Sequence, residues 1–219
     1  MQLDRSNINH FSPVKILSTL LLIVCTTLCR GNETAPCVLI LGDSLSAAYG
    51  IKHNQGWVSL LDQQLKQSAD HYQIVNASIS GETTGGGLNR LPALLKKHKP
   101  DIVFLELGAN DGLRGFPITT IQKNLKQIIT LSQQANAKVL LAGMHLPPNY
   151  GARYTRLFHE NFALLAQQFN IPLIPFFLEG VAGNTQLIQA DGLHPTAQAQ
   201  PLILQNVMPY LKKILSITN

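Results

Sequence analysis

Five short, largely apolar runs alternate with segments of helical periodicity, and this alternation constrains the fold of the 219-residue chain more than any other feature. The runs lie at 38–41, 73–77, 102–107, 139–144 and 173–175. Between them, Trp57, Leu60, Leu61 and Leu65, then Leu91, Leu94 and Leu95, then Ile121, Leu125, Ile128 and Ile129 recur at the three- and four-residue steps of an amphipathic helix. A helix is expected over 153–169, and another after Pro195. Strands that are apolar on both faces belong to a sheet covered on both sides, and strands separated by helices pair in parallel. The pattern therefore predicts an α/β fold, a central parallel sheet of about five strands with helices on both faces. No linker, repeat or low-complexity stretch divides it.

A parallel sheet gathers the carboxyl ends of its strands at one edge, where ligands bind in open α/β folds. The first run leads into Gly42-Asp43-Ser44-Leu45-Ser46, so Ser44 is expected at that edge. A serine hydroxyl becomes a nucleophile only beside a base. His194 can serve, because imidazole changes protonation near neutral pH. Asp191 stands three residues earlier, and in a helical turn the two side chains would be neighbours, the carboxylate holding the ring in one tautomer. The second run leads to Gly81 and the third to Gly108-Ala109-Asn110-Asp111-Gly112. Acyl transfer needs donors aimed at the oxygen that turns negative. The N–H groups of Ser44 and Gly81 and the amide of Asn110 are the candidates for that oxyanion hole.

Other readings of these residues are structural. Ser44 can cap a helix, and Asn110 can close a turn with Asp111 and Gly112. Neither accounts for Asp191 and His194. No second histidine pair has ligand spacing, so no metal site is expected. His53, His71, His98 and His159 read as surface residues, His145 stays open because it follows a strand, and Asp43 and Asp111 read as turn and hydrogen-bond residues. The glycine-rich stretch Gly85-Gly86-Gly87 lacks the lysine and hydroxyl of a phosphate loop and reads as a loop of altered mobility.

Residues 1–31 differ from the rest. Arg5 and Lys15 precede a thirteen-residue uncharged stretch, 16–28. A membrane span needs about 20 apolar residues, so this is expected to be a signal peptide. Cleavage after Gly31 fits, and cleavage after Cys29 fits nearly as well. The remaining 32–219 is one domain, in which 14 basic residues face 11 acidic ones, so net charge falls from +5 to +3. No basic stripe remains to suggest nucleic acid, and Lys96-Lys97-His98-Lys99 reads as a solvated helix end. Cys37 is alone in the mature chain, so no internal disulfide forms.

The blocks around Ser44, Gly81, Asn110 and Asp191–His194, in this order, resemble those of the GDSL, or SGNH, hydrolases. The likeness extends through Val75-Asn76-Ala77-Ser78-Ile79-Ser80-Gly81, Arg90-Leu91-Pro92-Ala93-Leu94-Leu95-Lys96, Asn110-Asp111-Gly112-Leu113-Arg114-Gly115 and Pro148-Asn149-Tyr150-Gly151 to a subfamily of bacterial periplasmic thioesterases, proteases and lysophospholipases. The resemblance implies a three-layer flavodoxin-like fold and a triad of Ser44, Asp191 and His194. It also implies an oxyanion hole of Ser44, Gly81 and Asn110, no metal or cofactor, and a mobile loop over 113–117. Its members cleave acyl esters, thioesters, lysophospholipids and aryl esters. Ala109 stands where relatives often have glycine.

The expected function is a secreted or periplasmic serine esterase with an acyl ester or lysophospholipid substrate. Leu113, Phe116, Leu146, Pro147 and Tyr150, placed by their loops near the sheet edge, are the candidates to hold the acyl chain. A monomer is expected, with transient contact at a membrane surface as one outcome of such substrates. A carbohydrate-acetate deacetylase using the same residues, and a non-catalytic binding module, are the rival readings.

Overall fold

A computed structural model of the chain describes residues 35–67 and 72–215. The signal peptide expected over 1–31 and the surface position expected for His71 lie outside the described residues. The five strands are β1 (Cys37–Gly42), β2 (Gln73–Asn76), β3 (Ile102–Glu106), β4 (Lys138–Ala142) and β5 (Leu173–Ile174). They form one sheet in the order β2-β1-β3-β4-β5, every pair parallel.

Burial explains why each strand reads as it does. β1 and β3 are buried along their whole length, so neither face needs polar residues. β2 forms the edge, and its terminal Gln73 and Asn76 are exposed. Strand limits fall within two residues of those expected from sequence.

The helices are α1 (Trp57–Lys66), α2 (Thr84–His98), α3 (Ala109–Leu113), α4 (Ile118–Gln134), α5 (Ala152–Phe169) and α6 (Gln200–Leu215). α2, α4 and α5 pack side by side, and α1 packs against α6. With the sheet between these two groups, the architecture is a three-layer α/β fold. The apolar faces predicted for α1, α2 and α4 point inward: Leu61, Leu91, Ile121, Leu125 and Ile128 are fully buried. Trp57 anchors one side, its ring 5.1 Å from Phe104 of β3 and 5.6 Å from Phe177.

One expectation is corrected here. Gly85, Gly86 and Gly87 form the first turn of α2, not a loop. Thr83 caps the helix, its Oγ1 accepting the Gly86 N–H at 3.1 Å. A β-carbon on Gly87 would run into buried Leu107, which follows β3. Gly87 lets the helix start close against the strand ends.

Candidate active site

In this strand order β2 lies on one side of β1 and β3 on the other, so the chain reverses its winding between β1 and β3. The crevice opens beyond their carboxyl ends. β1 ends level with β3, Gly42 pairing with Glu106. Ser44 follows β1 in a tight turn, where Asp43 Oδ1 accepts the Leu45 N–H at 3.0 Å and the Asp43 carbonyl accepts the Ala47 N–H at 3.0 Å.

His194 comes to Ser44 from 150 residues away, its Nε2 2.9 Å from Ser44 Oγ. Its Nδ1 lies 2.6 Å from Asp191 Oδ2. An Nδ1–H donating to that carboxylate leaves Nε2 free to accept from the serine. The expected helical turn between Asp191 and His194 is corrected. Residues 191–194 form no helix; instead Asp191 Oδ1 accepts the N–H groups of Leu193 (2.9 Å) and His194 (3.0 Å), with Gly192 at φ +75°. The side chain takes the place of a backbone acceptor. Those two N–H groups hold the Asp191 carboxyl down to about 2, so it is charged wherever the histidine can act.

The segment carrying Asp191 and His194 is fastened to the nucleophile turn. Gln189 Nε2 donates to the carbonyls of Tyr49 and Pro195, both at 2.9 Å. The Tyr49 ring lies 4.4 Å from the His194 ring. Gly50, at φ +73°, leaves the space that Gln189 enters.

Among the described residues the N–H groups of Ser44 and Gly81 donate no hydrogen bond, as an oxyanion hole requires. Gly81 is exposed at φ +77°, its carbonyl accepting from Arg114 Nη2 at 3.1 Å. Asn110 sits in the first turn of α3. Its Nδ2 donates to Asp43 Oδ2 at 3.0 Å, which fixes the amide and leaves the second Nδ2 hydrogen unspent. The turn into α3 falls on Gly108, at φ +117°. Ala109 is already helical, so its β-carbon is tolerated. Asp111 is a buried acceptor for Thr84 N–H (2.9 Å) and Thr84 Oγ1 (2.6 Å), tying α2 to α3.

A groove of about 470 Å³ runs from Ser44, Asn110 and His194. Of the expected lining, Leu113, Leu146 and Pro147 are there; Phe116 and Tyr150 are not, and both are exposed. His145, left open from sequence, lines the wall, and Met144, Phe176, Leu178, Ile188 and Leu193, not named from sequence as lining, join it. Met144 and His145 continue β4, and the strand-end rule that found Leu146 covers them too. The stretch 176–193 carries no periodicity, and only the tertiary fold brings it to the groove. The His145 ring lies over the His159 ring at 3.6 Å and meets the Phe176 ring edge-on at 4.4 Å. Burial, then His159, pushes its imidazole below the usual histidine value. His159 is therefore half-buried in a ring stack and not a free surface residue; His98 is half-buried as well, whereas His53 is exposed. Wider clefts of about 920 and 600 Å³ lie away from Ser44. Among the described residues no three His, Cys, Asp or Glu side chains gather to hold a metal.

Residues 40–201 match the model of the GDSL-like Lipase/Acylhydrolase family. The chain is 50% identical over 184 residues to Esterase TesA of Pseudomonas aeruginosa, covering 84% of this chain and 92% of that protein. It is 47% identical over 169 residues to Thioesterase 1/protease 1/lysophospholipase L1 of Escherichia coli K12, covering 77% of this chain and 80% of that one. Among solved structures, the psychrotrophic esterase EstA of a Pseudoalteromonas species, inhibited by monoethylphosphonate, matches with TM-score 0.79. That match has 47% identity and covers 82% of this chain and 98% of EstA.

Proposed function

We propose, for a chain that belongs to the GDSL-like lipase/acylhydrolase family and is a carboxylic ester hydrolase, that Ser44 is its nucleophile, His194 its base and Asp191 the orienting acid. The observation that carries this reading is the unbroken relay from Ser44 Oγ to His194 Nε2 (2.9 Å) and from His194 Nδ1 to Asp191 Oδ2 (2.6 Å), at the end of an apolar groove. Ser44 attacks the acyl carbonyl as His194 takes its proton, and the imidazolium then protonates the leaving alcohol or thiol. Water, activated by the same histidine, releases the acid. The N–H groups of Ser44 and Gly81 and the Asn110 amide receive the oxyanion, each contributing about 10² to 10³ in rate.

Leu113, Leu146, Pro147 and the wall around Met144 and Phe176 take the acyl chain. The apolar lining favours a fatty acyl ester, thioester or lysophospholipid over an acetylated carbohydrate. Each methylene buried contributes about 0.8 kcal/mol, roughly fourfold in kcat/KM until the groove is full. Residues 1–31 serve as a secretion leader, 32–219 as the hydrolase domain, and the physiological ester lies outside the cytoplasm. The test is p-nitrophenyl ester hydrolysis across a series of acyl lengths, with fluorophosphonate labelling and Ser44→Ala as control. Turnover and label lost together in the variant support the reading; a wild-type protein that neither turns over nor labels overturns it. A chain-length preference unchanged in Leu113→Ala and Leu146→Ala overturns the groove assignment.

A further inference from the structure

Glu106 ends β3 and is completely buried, directly beneath the nucleophile turn. Its Oε2 accepts the Asp43 N–H at 3.2 Å and the Ser46 hydroxyl at 2.7 Å. Ser46 Oγ in turn accepts Trp57 Nε1–H at 3.2 Å. The carboxyl reaches this turn because Gly42 lacks a β-carbon, which would stand 2.6 Å from Glu106 Oε2 and 2.9 Å from Ser46 Cβ. The other oxygen, Oε1, is buried with no hydrogen-bond partner among the described residues.

The side chain that can satisfy Glu106 is Asp43, the other carboxyl buried at this turn, 1% exposed, whose own backbone N–H already bonds Glu106 Oε2. Two ionised carboxylates offer each other no donor. One proton on Glu106 makes it the donor and leaves Asp43 as the anion that the Leu45 N–H and the Asn110 amide already require. We propose that Glu106 is a positioning residue, a neutral carboxylic acid that shares one proton with Asp43 and thereby fixes both the turn carrying Ser44 and the amide of Asn110. Burial and the neighbouring Asp43 charge act in the same direction, holding Glu106 well above the usual carboxyl range.

The inference rests on the esterase reading above, and its test separates the two. Glu106→Gln keeps the shape, accepts from Asp43 N–H and Ser46 through its carbonyl, and donates to Asp43 through its amide. Glu106→Leu keeps the bulk and does neither. Kinetics on a p-nitrophenyl ester, fluorophosphonate labelling and circular dichroism are measured on the full chain for both. The expected result is a kcat within about threefold of wild type for the glutamine variant, against a loss of roughly 10- to 100-fold for the leucine variant with KM little changed. A folded glutamine variant as slow as the leucine one, or a leucine variant with wild-type kcat, overturns the proposal. Wild-type protein that labels at Ser44 while the rescue fails condemns this proposal alone; wild-type protein that does not label removes both.

Discussion

Asp191 divides its two oxygens between two tasks: Oδ1 builds the turn by accepting two backbone N–H groups, and Oδ2 faces His194 Nδ1. Asparagine at 191 keeps the turn-building oxygen but presents an NH₂ group to the ring. The imidazole then carries its proton on Nε2, facing Ser44, where it cannot accept. Asp191→Asn is expected to lower kcat by about 10³ to 10⁴ with the melting temperature little changed. Asp191→Ala also loses the acceptor of the turn and is expected to lower both; steady-state kinetics and thermal melts distinguish them. The pH dependence follows from the same geometry. A carboxyl held down to about 2 favours the folded form above its ordinary pKa near 4, and that contribution is lost only as pH falls through 2. The acid limb of activity therefore belongs to groups other than Asp191.

At the level of elements, α2 is the instructive case, because its first turn is built from the residue type least inclined to helix after proline. Thr83 Oγ1 on Gly86 N–H is the bond that starts it. Removing it in Thr83→Ala is expected to cost about 1 kcal/mol, or roughly 2–4 °C in melting temperature, measured by calorimetry. A second close approach is at Gly112 of α3. A β-carbon there would stand 2.7 Å from Leu146 Cδ2 and 2.8 Å from Phe158 Cε2. Gly112→Ala is expected to push Leu146 into the groove and raise KM for long acyl esters more than for short ones. These elements also mark where the sequence is readable. β1 and β3 were legible because strands buried on both faces are apolar along nearly their whole length, with Glu106 the exception in β3, and α4 because Ile121, Leu125, Ile128 and Ile129 keep helical spacing on its buried face. The start of α2 was not legible, because Gly87 answers to Leu107 across space and not to local propensity. The Asp191–His194 pairing was legible from spacing, but not the conformation that delivers it, since three residues separate the two in a helix and in a side-chain-closed turn alike. Phe116 and Tyr150 were placed in the groove by loop position alone; which way a loop residue faces is set by tertiary contacts, such as Tyr154 Oη donating to the Phe116 carbonyl at 2.6 Å.

For the whole molecule, the doubly wound sheet places its chemistry where the winding reverses, and the ends of β1 and β3 meet there with two buried carboxyls between them. That arrangement links catalysis to stability. Asp43 is pushed up to about 6 and Glu106 well above its ordinary value, burial being the first cause for both. A carboxyl whose folded-state pKa is raised contributes stability that is complete below its unfolded value, near 4, and is lost as pH climbs through the folded one. Ionising the pair in place thus weakens the fold from about pH 4 upward, through 6 and beyond. Glutamine at 106 cannot ionise, and its amide still donates to Asp43, so the Glu106 part of that slope disappears while the Asp43 part, set by burial, remains. The melting temperature of Glu106→Gln relative to wild type is expected to rise steadily between about pH 5 and pH 9, measured by calorimetry at constant ionic strength. Parallel curves would mean that Glu106 is already an anion in the fold throughout this range, the opposite of the neutral acid that the nucleophile turn requires.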